Sequence, residues 1–201
     1  MNRRVYLSVM SAALLSGCWL FAVPADRSKE KGDSPKLELR ISSEQKEFRM
    51  GEYPKIRAVI TNRSEQEVTL VQPGDGSDCS WRTPVIGWSA LPADSEKEHP
   101  KAPAKRSVAR CGNINPLTAK EIIRLKPGES ATLSPWLGYH NIASPGEYRL
   151  RFYYANRPGM KWQGLPLGKH DPDAMKAVDG STKCELVSNE IVVTVKPKAE
   201  E

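Results

Sequence analysis

Leu37, Leu39 and Ile41 alternate with Lys36, Glu38 and Arg40, which gives this stretch one apolar and one wetted face. A period of two is that of a half-buried β-strand. Ile56, Ala58 and Ile60 repeat it, and Val68 with Leu70 resume it after a turn at Asn62-Arg63-Ser64. That succession predicts a hairpin. Val85 to Trp88, Ile122 to Leu125 and Ala131 to Leu133 read as further short strands. Tyr148, Leu150, Phe152 and Tyr154 then alternate with Glu147, Arg149, Arg151 and Tyr153, and Ile191, Val193 and Val195 close the series. About eight strands result, within a range of roughly seven to nine.

The punctuation agrees with an all-β chain. Lys126-Pro127-Gly128-Glu129 and Ser144-Pro145-Gly146-Glu147 put Pro at the second turn position and Gly at the third, the pattern of a type II turn. Sixteen Pro and 14 Gly leave little room for long helices. Short strands joined by tight turns make antiparallel sheets, and two such sheets must pack face to face to cover their apolar sides. The expected fold is therefore an antiparallel β-sandwich with long inserted loops and one short helix.

The chain ends carry different signals. Met1-Asn2-Arg3-Arg4 and the uncharged run VYLSVMSAALL form a targeting segment, residues 1–25. Leu15-Ser16-Gly17-Cys18 resembles the lipobox of bacterial lipoproteins, in which the Cys receives lipid and becomes the mature N-terminus. Val23-Pro24-Ala25 is a competing secretory cut, favoured by the apolar Trp19-Leu20-Phe21 that follows the Cys. The stretch from Val5 to Ala25 is also long enough to span a bilayer if left uncut. Both cuts place the body outside the cytoplasm, either anchored to the cell envelope through Cys18 or released. Either removes Arg3 and Arg4, so the formal charge falls from +6 to +4. Residues 26–36, DRSKEKGDSPK, suit a flexible tether, and residues 197–201 a loose tail. One domain, residues 37–196, lies between them.

Pro145-Gly146-Glu147-Tyr148-Arg149-Leu150 resembles the start of strand F in immunoglobulin-like and fibronectin type III-like modules. The resemblance implies a tyrosine corner, with the Tyr148 hydroxyl bonding back to the chain just upstream. Leu150 stands where antibody domains carry their second core Cys, so the antibody inter-sheet disulfide is excluded. Val68-Thr69-Leu70-Val71, in the place of strand C, lacks the usual Trp. The order of turns is also similar to small sandwiches of exported bacterial proteins, loosely including a proteinase-inhibitor family. Such likeness specifies a fold and carries function poorly.

Three insertions interrupt the strands. Gln72 to Thr83, QPGDGSDCSWRT, offers Asp75, Asp78, Trp81 and Arg82 as a recognition tip, or else Trp81 as a lid on the core edge. Ala90 to Lys120 holds Lys97, Lys101, Lys105, Arg106 and Arg110 with interleaved acids, the composition of a solvated loop or of a contact with anionic lipid or polymer. Asn156 to Val187 is the longest and the first choice for a binding surface, with Lys161, Trp162 and His170 as contacts. Within it, Asp171 as N-cap, Pro172 at the first helical position and Gly180 at the end predict one or two helical turns.

No catalytic residue, metal ligand or cofactor site emerges. His99, His140 and His170 share no spacing, and no CxxC, HExxH or GxSxG is present. Asp75-Gly76-Ser77-Asp78 lacks the alternating ligands and late Glu of a calcium loop. A charge of +4 on an exported domain argues against nucleic acid. Two function classes follow: a noncatalytic envelope module that binds a protein or polymer, with an inhibitor-like variant, or a hydrolase whose site sits on the inserted loops.

Export permits disulfides, and Cys79, Cys111 and Cys184 remain in the body, an odd number. If the strands alternate as in an immunoglobulin-like sandwich, the Cys79 loop lies at the end opposite the loop carrying Cys184, and Cys111 can approach either. Cys111 with Cys184 is favoured over the shorter closure of Cys79 with Cys111, because that bond would pin two long, otherwise costly loops to one another.

Overall fold

The alternation at Leu37 does build a strand. β1 (Leu37–Ser43) buries Leu39 and Ile41 and exposes Arg40 and Ser42. The computed structural model describes residues 36–52, 55–102, 112–134 and 142–199. Along them follow β2 (Glu47–Arg49), β3 (Ile56–Asn62), β4 (Val68–Val71), β5 (Val85–Pro92), β6 (Asn113–Ile114), β7 (Ile122–Leu125) and β8 (Ser130–Thr132). Then come β9 (Gly146–Asn156), β10 (Leu165–Pro166), helix α1 (Pro172–Asp179), β11 (Cys184–Val187) and β12 (Ile191–Lys196). The described chain is mostly β, in several antiparallel sheets with two short parallel pairings, β2 with β12 and β6 with β10.

Every strand expected from the period-two pattern is present, but the hairpin is not. β3 lies between β1 and β8, while β4 pairs with β7. Asn62 explains the divergence. Its Oδ1 accepts from Ser64 N at 2.9 Å, closing the turn, while its Nδ2 donates to the carbonyls of Gln66 and Leu125. The fully buried amide thus ties the chain leaving β3 to the end of β7, and β4 follows β7 instead of folding back. Four further strands, β2, β6, β10 and β11, lie outside the expected set, three of them only two or three residues long.

β9 organises a second sheet. β5 runs along one side of it, and on the other β12 pairs with Gly146 to Leu150 while β11 pairs with Tyr153 to Asn156. At the join, Phe152 N donates to Ser188 Oγ and Ser188 N to Phe152 O, both at 2.9 Å. One continuous core contains Leu39, Ile60, Leu70 and Leu125 together with Leu150, Phe152, Tyr154 and Val193. Tyr154 is buried completely, yet its hydroxyl donates to Val71 O at 2.7 Å and accepts from Val71 N, so it crosses the core at no cost in unpaired polar atoms.

Two turn readings separate. Gly128 has φ +81°, as a type II turn requires, whereas Gly146 has φ +153° and opens β9. Tyr148 nevertheless makes the upstream bond, donating from its hydroxyl to Ser144 O at 2.9 Å.

The third insertion is folded around a small core of its own. Val71 and Leu117 meet Ala174 and Val178 of α1, with Ile122, Trp162 and Met175 packed alongside. Asp171 Oδ1 accepts from the amides of Asp173 and Ala174, Pro172 opens the helix and Gly180 closes it, as the sequence implies. Both cores belong to one compact unit, Ser34–Glu201. No helix among the described residues is long and apolar enough to cross a membrane.

Candidate functional site

The three insertions converge. β6 of the second pairs with β10 of the third, through Leu165 N to Gly112 O and Leu167 N to Ile114 O. Gln163 N of the third donates to Trp81 O of the first at 2.7 Å, and Asn115 N of the second donates to Asp75 Oδ2 of the first. The result is one stitched platform. Gly164 permits a close approach, because at φ +86° a Cβ there would sit 3.0 Å from both the Trp81 ring and Ile114 Cγ2.

Arg82 is the polar centre of this platform. It does not project from a recognition tip; its side chain is only 1% exposed. Arg82 Nη2 donates to Glu121 Oε1 at 2.8 Å, and its guanidinium carbon lies 4.4 Å from the centroid of the Trp162 ring. Burial pulls the Arg82 pKa below its ordinary value, opposed by Glu121 and then Asp75. The group stays charged because guanidinium holds its proton so tightly. Glu121 divides its carboxylate, one oxygen to Arg82 and the other accepting from Thr118 N at 2.9 Å, in a capping box that starts the turn before β7. Among the described residues Arg82 Nη1 has no hydrogen-bond partner, and Gly74 backs onto it so closely that a Cβ would stand 2.9 Å away.

Trp162 links this ion pair to His170. The two rings meet edge to face, 5.2 Å apart at 83°. His170 Nδ1 accepts from Leu117 N at 2.9 Å, so the neutral ring carries its proton on Nε2. Burial lowers the His170 pKa, Arg82 lowers it further and Glu121 opposes. Of the five residues anticipated for binding, Arg82, Trp162 and His170 therefore form one frame. Trp81 lies partly buried beside Gly164, and Lys161 is exposed. Sequence reasoning missed Glu121, whose signal was the Thr118-x-x-Glu121 capping box. It also missed Leu165 and Leu167, which stand out of the surface 73% and 63% exposed.

A second arrangement lies over β5 and β9. Arg149 Nη2 donates to the carbonyls of Ser95 and Lys97, and the Tyr153 hydroxyl donates to Pro100 O. His99 has Nδ1 2.7 Å from Ser89 Oγ and Nε2 3.2 Å from Glu190 Oε2. A serine, an imidazole and a carboxylate follow one another, but among the described residues His99 Nε2 makes no hydrogen bond, so the carboxylate does not orient the ring as activation of the hydroxyl requires. Here Ser89 is 7% exposed and the His99 side chain 2%, buried where the segment Ser95 to Pro100 crosses β5 and β9. These contacts tie that segment to β5 and β9. Separately, Ile41, Lys46, Glu147, Ile191 and Val192 line an open groove of about 550 Å³ that uses no residue of the platform.

The convergence also alters the cysteine argument. Thr83, at the end of the first insertion, donates from Oγ1 to Asn156 Oδ1, and Asn156 pairs with Cys184 in the sheet. The Cys79 and Cys184 segments thus belong to the same end of the sheets, not to opposite ends as the immunoglobulin-like strand order implied. Burial pushes the half-buried Cys184 thiol up to about 11. Cys18, Cys111, Lys105, Arg106, Arg110 and His140 lie outside the described residues. No family model, curated protein or solved structure matches the chain.

Proposed function

We propose that this protein is a noncatalytic binding module of the cell envelope, an immunoglobulin-like sandwich exported by its N-terminal segment and held by lipid on Cys18. The continuous core shared by strands of different sheets and the Tyr148 to Ser144 bond support the sandwich. The observation that carries the binding reading is the convergence of three separate insertions on the Arg82–Glu121 pair, whose buried guanidinium is capped by Trp162. The main core has no need of this ion pair, and burying one is a weak route to stability. What it does is fix three loops in one arrangement and present their outer side as a rigid surface.

Capture from separated envelope fractions tests this. The chain from Asp26 to Glu201, immobilised, retains an envelope component, and Trp162→Ala reduces retention at least ~tenfold while the main core still melts cooperatively. Equal retention by both chains, or retention by neither, contradicts the reading.

A further inference from the structure

Leu165 and Leu167 are the most exposed large apolar side chains among the described residues. They sit two apart in an extended segment, so they point to the same side. The segment is held from behind: Leu165 N donates to Gly112 O at 2.8 Å, Leu167 N to Ile114 O at 2.9 Å, and Gly164 packs against Trp81. Between them stands the exposed Pro166. A flexible loop could fold such residues inward; this one is pinned with its apolar side outward.

Charge then narrows the occupant. From Lys161 to His170 the chain reads KWQGLPLGKH, with exposed lysines at both flanks and no acidic residue. A symmetric contact with a second copy would bring like charges together, which disfavours self-association through this ridge. An apolar crest with a cationic border matches the boundary between acyl chains and anionic headgroups. Resting on the envelope-module reading, the expected lipid on Cys18 also bears on the occupant. The residues from there to Leu37 span at most roughly 70 Å when extended, so the body stays within reach of the bilayer surface.

We propose that Leu165-Pro166-Leu167 is a docking ridge for an anionic lipid surface, with Leu165 and Leu167 entering the acyl boundary and Lys161 and Lys169 meeting headgroup phosphates.

Sedimentation with vesicles tests it, using the chain from Asp26 to Glu201 so that the targeting segment contributes nothing. Vesicles of equal parts phosphatidylcholine and phosphatidylglycerol are compared with phosphatidylcholine alone. The anionic vesicles carry the protein down at least ~tenfold better. Leu165→Ser with Leu167→Ser, and separately Lys161→Glu with Lys169→Glu, each remove most of that partition without shifting the melting temperature, since all four side chains are exposed. No preference for anionic vesicles, or unchanged partition in both paired variants, overturns the proposal. If vesicles fail while an envelope fraction is still retained in a Trp162-dependent way, the lipid assignment falls and the module reading stands. In that case protease treatment of the fraction tells a protein partner from a polymer. If neither vesicles nor envelope fractions bind, both fall.

Discussion

Arg82 and Glu121 share a bond but not a burial, and that difference decides which one the platform can spare. Arg82 is 1% exposed by side chain and Glu121 21%. Removing Glu121 strands a guanidinium that water cannot reach and also opens the capping box, whereas removing Arg82 leaves a carboxylate that can be partly hydrated. Glu121→Ala is expected to cost about 3–5 kcal/mol, and Arg82→Ala about 2–3 kcal/mol through the lost charged bond and its packing on Trp162. Urea unfolding of both variants checks the order; a costlier Arg82→Ala contradicts it. The histidines make a separate prediction. His99 is lowered chiefly by burial, with Glu190 opposing and Arg151 and Arg149 adding to the shift; His170 is lowered by burial and Arg82. A depressed folded value means that the unfolded chain binds more protons in the window below about pH 6.5. Their stabilisation is therefore complete above that pH and is lost as pH falls through the folded values. The melting temperature should decline from pH 7 toward pH 5, and His99→Gln with His170→Gln should flatten that decline. A double variant with the full decline would refute the assignment.

At the scale of elements, what could be read from the sequence follows from length and period. β1, β3, β9 and β12 each bury alternate side chains over several residues, and their alternation was plain. α1 announced itself through Asp171, Pro172 and Gly180. A two-residue strand such as β6 or β10 has no period to detect, and its pairing joins segments roughly fifty residues apart. The hairpin was misread because hydrophobic alternation fixes which face a strand buries but not its neighbour. That choice was made by the side-chain amide of Asn62. The site was legible by residue type in part, since Arg82, Trp162 and His170 were anticipated, but not by role, because nothing in the sequence told a buried frame from an exposed tip. Gly164 tests the β6 and β10 join. Gly164→Ala should cost about 1–3 kcal/mol from its positive φ, and more through the clash with Trp81 and Ile114. Unfolding and exchange in Gly112 to Leu117 measure this; a neutral substitution would mean that the join is loose.

At the scale of the whole molecule, the proposed function ties address to surface. Cys18→Ala should move the protein from the membrane fraction to the soluble fraction of the exporting cell, because lipid on that residue supplies the anchor in this account. A soluble wild-type protein whose N-terminus is Asp26 would show that the cut after Ala25 is used instead. The body would then be a released module, with its platform unchanged. Neither the charge of +4 nor the fold chooses a ligand. The proposed reading gives the choice to the platform, where three insertions meet, and its competitor is the groove between Ile41 and Val192. Amide hydrogen exchange of the chain from Asp26 to Glu201, with and without the envelope material it retains, separates the two most directly. Protection confined to Gly112 to Leu117 and Lys161 to His170 is the predicted result; protection at Ile41 to Lys46 and Ile191 to Thr194, with the platform unaffected, would contradict it.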